Sequence, residues 1–120
     1  MPTVRTRREL VNEALEQLGI VGAGQTPNAE DFETVDHKVD QLVLYLEAID
    51  LVSIEDIDEI PAEIFQALAV LLADECALKF GMPGVPTSAS NPNPVQAAQD
   101  RIKLVTYGKP TYENQRTEYF

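Results

Sequence analysis

The stretch from Ile64 to Phe80 is apolar on nearly every side of the helix it would form, with Leu68, Val70, Leu71, Leu72 and Ala73 leaving no continuous polar face. A helix of this kind cannot lie on a surface. The remainder of the chain must therefore supply elements that cover it from several directions. Pro61 suits the opening of such a helix and Gly81 its end. With 120 residues, of which 44% are hydrophobic, the chain can build one core of modest size around it.

The covering elements are legible as helices. Thr6-Arg7-Arg8-Glu9 is a capping box, in which the Thr6 hydroxyl and the Glu9 carboxylate can satisfy amide donors at a helix start. Leu10, Val11, Ala14, Leu15 and Leu18 then recur at helical spacing, and Gly19 is a natural left-handed stop. After a loop at Ile20 to Gln25, Thr26-Pro27 offers a cap and a first-turn proline. Ala29-Glu30-Asp31 follows with acids where a helix dipole favours them. This second helix is expected to bury Phe32, Val35, Val39, Leu42, Val43, Leu46 and Ile49, to send Glu33, Asp36, His37, Asp40 and Glu47 toward solvent, and to end near Asp50.

Leu51, Ile54, Ile57 and Ile60 recur at every third position between acids, which suits a short turn or 3₁₀ piece laid on the core. Met82 to Pro94 carries four prolines with Ser and Asn, and reads as an extended connector separating two functional parts. Asn93-Pro94 can start a fourth helix bearing Val95, Ala98, Ile102 and Val105, which Gly108 closes. The expected fold is therefore all-α: a small bundle of about four helices with a central apolar helix, a Pro-rich connector at residues 82–93 and an extended C-terminal tail. Residues 1–108 form the helical domain and 109–120 the tail.

The formal net charge of −11 is concentrated, since residues 20–80 carry fourteen carboxylates against Lys38 and Lys79, a local balance of −12. Such a body repels phosphate, which argues against gripping or wrapping nucleic acid. The single cysteine, Cys76, excludes a disulfide framework and a multi-cysteine zinc site, in keeping with a reducing cytoplasm. The polar, basic N-terminus lacks a following signal-peptide core, and no run of about 18 apolar residues is present, so a soluble protein with no membrane role is expected.

Candidate chemistry is sparse. Cys76 lies one helical turn from Leu72 and from Phe80 and reads as a core thiol. His37 shares a face with Glu33 and lies near Asp36 and Asp40, but it lacks the second histidine of a helical zinc site. Asp56-Ile57-Asp58-Glu59 invites a calcium reading that Pro61 defeats, because it stands where the calcium loop needs glycine. Gly22-Ala23-Gly24 follows a helix rather than a strand, so it is a turn and not a dinucleotide fingerprint. Asp74-Glu75, set in an apolar run, is the one place for a functional carboxylate; otherwise the pair edges its helix and faces solvent or a neighbouring subunit. No catalytic residue, cofactor or metal is assigned, and the expectation is a non-enzyme.

The run Arg7-Arg8-Glu9-Leu10-Val11-Asn12-Glu13-Ala14-Leu15-Glu16-Gln17-Leu18-Gly19 through Thr26-Pro27 resembles the opening of phage head–tail adaptors of the tail accessory factor, packaged-DNA stabilisation type. Ile60-Pro61-Ala62-Glu63-Ile64-Phe65 through Phe80-Gly81 is similar to their third helix, where a Leu-Pro step precedes an alanine- and leucine-rich helix ended by an aromatic-glycine pair. The two runs and the stretch between them span residues 7–81. Many such proteins carry a tryptophan near the end of the second helix, where this chain has Tyr45 and no Trp anywhere.

The resemblance implies a structural virion protein at the head–tail interface, made in the host cytoplasm. Its copies would form a homo-oligomeric ring, usually a dodecamer, that binds portal protein on one side and a downstream tail protein on the other. Double-stranded DNA would pass through during packaging and ejection without tight binding. Two groups of residues are then candidates for contact. The tail residues Lys109, Pro110, Thr111, Tyr112, Arg116, Tyr119 and Phe120 would dock on portal or on a neighbouring subunit. Arg5, Arg7 and Arg8 would meet a neighbouring subunit's acids or simply be solvated. Another phage tail-completion or connector protein, a peptidoglycan hydrolase and an acidic DNA mimic stand as alternatives. A hydrolase should clear a peptidoglycan suspension, and a DNA mimic should bind a DNA-binding enzyme.

The charge distribution predicts that duplex DNA binds poorly at physiological salt, because three arginines in one turn are too few for a phosphate track. A mobility-shift titration checks this, and submicromolar binding to nonspecific duplex would contradict it.

Overall fold

The capping box forms as its residues dictate. In the computed structural model, which describes residues 4–107, the Thr6 Oγ accepts from the Glu9 N–H at 3.2 Å and the Glu9 carboxylate accepts from the Thr6 N–H at 3.0 Å. That backbone donor holds the Glu9 carboxyl below its usual range. Helix α1 (Arg7–Gln17) follows and buries Leu10, Val11, Ala14 and Leu15. At its end Gly19 adopts a left-handed φ of 74°, so its own N–H reaches the Glu16 carbonyl and the Ile20 N–H reaches that of Leu15, both at 3.0 Å.

Helix α2 (Ala29–Ala48) starts later than Thr26-Pro27 suggested. Its cap is Asn28, whose Oδ1 accepts from the Asp31 N–H at 2.8 Å. Asparagine caps at least as well as threonine. The buried stripe is narrower than expected: Val35, Val39, Leu42 and Leu46 are buried, Phe32 and Val43 are half-buried, and Ile49 is 45% exposed. Asp50 then takes the left-handed role that glycine plays elsewhere, with φ 58°. The Leu51 N–H bonds the Leu46 carbonyl at 2.9 Å, and both leucines are buried.

Between residues 51 and 59 the chain is irregular rather than 3₁₀. The three-residue apolar spacing does lie on the core, with Leu51 buried and Ile54 and Ile57 packed at its edge. The segment continues into a short strand that the sequence did not signal. Val4–Arg5 (β1) pairs antiparallel with Ile60–Pro61 (β2), Val4 opposite Pro61 and Arg5 opposite Ile60. This two-stranded piece ties the entry of α1 to the entry of α3 (Ala62–Cys76).

Helix α3 is the centre of the molecule, with nine of its fifteen residues buried, and it packs against α1, α2 and α4 (Pro94–Tyr107) and against both strands. It does not run unbroken to Phe80. Ala77–Phe80 tightens into a 3₁₀ turn, a common way to end a helix, and Gly81 closes it at φ 77° with the Met82 N–H on the Ala77 carbonyl.

The proline-rich connector does not hold two parts asunder. It is a strap: Val85 is buried in the core, its N–H lies 3.5 Å from Asp74 Oδ1, and Ser88 and Asn91 close a turn through mutual backbone hydrogen bonds at 3.2 Å. The strap returns the chain to α3, where α4 begins with Asn93 Oδ1 accepting from the Gln96 N–H and buries Ala98 and Ile102. Val95 is half-buried and Val105 is 42% exposed, because every residue after Ile102 extends past the edge of the core. The tail and the expected stop at Gly108 lie outside the described residues.

Replacing a fully buried leucine at the centre of α3 should be felt throughout the fold. We expect Leu72→Ala to cost about 3 kcal/mol in a urea unfolding titration, and a cost near zero would show that α3 is not the shared core.

Candidate interaction surfaces

The three arginines near the start of α1 diverge rather than forming a patch. Arg7 turns across to α2: its Nε lies 2.7 Å from Asp36 Oδ1, one terminal nitrogen 2.8 Å from Asp40 Oδ1, and the other donates to the Asp36 backbone carbonyl at 2.9 Å. Hydrogen bonds to Asp40 and then Asp36 push the guanidinium pKa up still further, against the cost of partial burial. Asp36 and Asp40 stand one helical turn apart, the spacing at which two carboxylates can grip one planar fork. Arg7 is thus engaged within the chain, half-buried between α1 and α2.

Arg5 pairs with Glu9 at 2.9 Å, and its guanidinium lies 4.5 Å from the centre of the Phe65 ring. Arg8 lies 5.9 Å from the Phe32 ring centre and remains exposed, so of the three it is the one most available to a partner. The sequence carried a signal for the Arg7 tie in the paired Asp36 and Asp40, but their partner lies 29 residues away.

The other chemical candidates have structural occupations. Cys76 is fully buried, and desolvation pushes its thiol up to about 11, so it is inert at neutral pH. His37 is exposed, and the two aspartates that would join it on a cation are bonded to Arg7. Among the described residues no group of three or more His, Cys, Asp or Glu side chains gathers as a metal site requires. Asp56 spends its Oδ1 on the Asp58 N–H at 3.0 Å, which makes a local turn. Gly22 is held by Gln25, whose side-chain oxygen accepts from the Gly22 N–H at 3.2 Å. Asp74 faces the strap at Val85, while Glu75 is exposed beside it. Among the described residues no helix is long and apolar enough to cross a membrane.

Two concavities lie beside the candidate residues. One, of about 520 Å³, lies between the outer row of α1 (Arg8, Asn12, Glu16), the Gly24–Pro27 loop and Phe32 of α2. Its wall includes Asn12, whose buried Oδ1 has no hydrogen-bond partner among the described residues. The other, of about 210 Å³, is a cleft where α2, α3 and α4 meet. Leu42, Leu46, Leu71 and Val95 line it, and Tyr45, Asp74, Glu75 and Gln99 complete its lining. Large apolar side chains stand out beside this cleft: Tyr45 is 51% exposed, and Ile49 follows one turn later. Tyr107 of α4 donates its hydroxyl to the Asp50 carbonyl at the end of α2. Neither the cleft nor this apolar edge was evident in the sequence, because it is assembled from three helices. The tail residues from Lys109 to Phe120 that the sequence suggested as a docking arm lie outside the described residues.

The different surroundings of the arginines give a direct test. Arg7→Ala should lower the unfolding free energy by about 1–2 kcal/mol and Arg7→Lys should recover only part of it, because an ammonium cannot span both carboxylates. Arg8→Ala should change stability by less than about 0.5 kcal/mol. Equal effects at the two positions in chemical denaturation would refute the tie.

No family model, no curated protein and no solved structure matches this chain.

Proposed function

We propose that the chain is a structural adaptor of a phage virion, a ring-forming protein beneath the portal that joins the DNA-filled head to the tail and lets DNA pass. The observation that carries this reading is a small helical body in which, among the described residues, acidic, histidine and cysteine side chains are occupied in packing and turns or left scattered, while large apolar side chains stand exposed beside an interhelical cleft. That is the economy of a protein whose work is contact. The resemblance of residues 7–27 and 60–81 to head–tail adaptors supplies the setting, with portal protein and a downstream tail protein as partners.

The charge fits a DNA conduit. Every lysine or arginine bonded to phosphate adds salt-dependent affinity that would retard sliding, whereas a carboxylate-rich wall keeps the duplex mobile. In this reading the aromatic residues Tyr112, Tyr119 and Phe120 anchor the C-terminal segment in pockets of the portal or of a neighbouring subunit. The acidic outer faces resist crowding, so the isolated chain stays monomeric or weakly associated at micromolar concentration and assembles on the portal as template.

Electron microscopy of the protein mixed with portal rings tests the proposal. The full chain should cap the portal's narrow end, whereas a chain truncated after Gly108 should keep its helical content and melting behaviour and lose attachment. Portals left bare by the full chain would overturn the adaptor reading. Normal capping by the truncated chain would move the docking surface away from the tail.

A further inference from the structure

Helix α4 presents different chemistry on its two flanks. Val95 and Gln99 look into the cleft shared with α2 and α3. Ala97 and Arg101 instead border a shallow groove of about 140 Å³ against Gln66 and Val70 of α3. Leu104 lies nine residues beyond Val95, about two and a half helical turns, which places it on the side opposite the cleft. The far flank is therefore Ala97, Arg101 and Leu104, an i, i+4, i+7 row with all three residues exposed and Leu104 at 63%. Arg101 makes no ion pair among the described residues.

The cleft is the chemical complement of that row. Its lining combines the apolar side chains of Leu42, Leu46 and Val95 with the carboxylates of Asp74 and Glu75, and Tyr45 and Ile49 extend its apolar edge. A flank bearing Arg101 and the exposed Leu104, with Asp100 at its edge bonded to the Gln96 amide at 3.0 Å, meets a cleft with carboxylates and exposed apolar neighbours. Among the described residues after Gly81 the cations are Arg101 and Lys103, both exposed, so in a chain of net charge −11 a second copy can bring a cationic flank to this carboxylate-bearing cleft.

We propose that copies of this chain associate head to tail, the Ala97–Arg101–Leu104 flank of one α4 seating on the α2–α3–α4 cleft of the next copy, with Arg101 toward Asp74 and Glu75 and Leu104 toward Tyr45 and Ile49. Because the two surfaces lie on opposite flanks of one helix, each copy that donates its flank still offers its cleft. The contact is heterologous and propagates, and it closes into a ring if the rotation between copies divides the circle. It is a weak contact without a template, since like net charges oppose it. The proposal rests on the adaptor reading for its use in a virion, but not for its chemistry.

Engineered cysteines test the geometry, because buried Cys76 does not compete for oxidation. Tyr45→Cys and Leu104→Cys proteins are each oxidised alone at millimolar concentration, then mixed and oxidised together, and the double variant is oxidised by itself. The mixture should give several-fold more disulfide dimer than either single variant, and the double variant should give a ladder. A control pair, Tyr45→Cys with Leu78→Cys, should stay at background, since Leu78 is as open to solvent but on neither surface. Arg101→Glu should cut the cross-linking yield several-fold, and Glu75→Lys in the partner should restore it. Single variants that dimerise as well as the mixture, a control pair that matches it, or a yield indifferent to the charge swap would each overturn the head-to-tail contact. Cross-linking without capping of portals would sustain the contact and remove the adaptor reading. Capping without cross-linking, in solution or on the portal, would do the reverse.

Discussion

Everything in this molecule is arranged around a helix that is buried on most of its sides. Because α3 buries residues on nearly all sides, it cannot be satisfied by one neighbour, and α1, α2 and α4 each bring an apolar stripe to a different part of it. The narrowness of the individual stripes follows. Helix α2 needs only Val35, Val39, Leu42 and Leu46, and α4 only Pro94, Ala98 and Ile102, because each covers a single strip of a shared centre. The remaining surface of those helices is released from folding and is free to carry charge or contact.

Three chain reversals are built the same way. Gly19, Asp50 and Gly81 each adopt a left-handed conformation, and the next residue's N–H returns to a carbonyl five residues back. The two glycines were legible because glycine is the residue that takes this conformation most cheaply. At Asp50 the helix end was legible but the left-handed turn was not, since aspartate takes that conformation only occasionally. The same division runs through the whole structure. The Thr6–Glu9 box, the Asn93-Pro94 start and the apolar run from Ala67 to Ala73 depend on residues within a turn or two, and the sequence states them. The pairing of Val4–Arg5 with Ile60–Pro61, the burial of Val85 beneath a proline-rich strap and the fork between Arg7 and two aspartates depend on partners far along the chain. Periodicity carries no information about those.

Candidate interaction residues were legible to a smaller degree for a related reason. A sequence shows that an arginine is charged, not which way it turns, and of Arg5, Arg7 and Arg8 the middle one is recruited inward to bridge helices while Arg8 remains exposed. The cleft between α2, α3 and α4 is a property of three elements at once. Asp74 and Glu75 drew notice as acids in an apolar run, and their position beside that cleft gives the observation a physical meaning that no single helix supplies.

The Arg7 fork also changes what the loop after Gly19 must do. In an antiparallel helical hairpin the connecting turn ordinarily helps to set how far one helix slides along the other. Here that alignment is fixed in the body of the hairpin, by a guanidinium of α1 gripping two carboxylates and a backbone carbonyl of α2, with the Arg8 side chain near the Phe32 ring close by. The segment from Gly22 to Pro27, between the Ile20 closure of α1 and the Asn28 cap of α2, is thereby relieved of its duty as a ruler. A change in its length should leave the two helices aligned, which makes it a permissive place for an inserted tag.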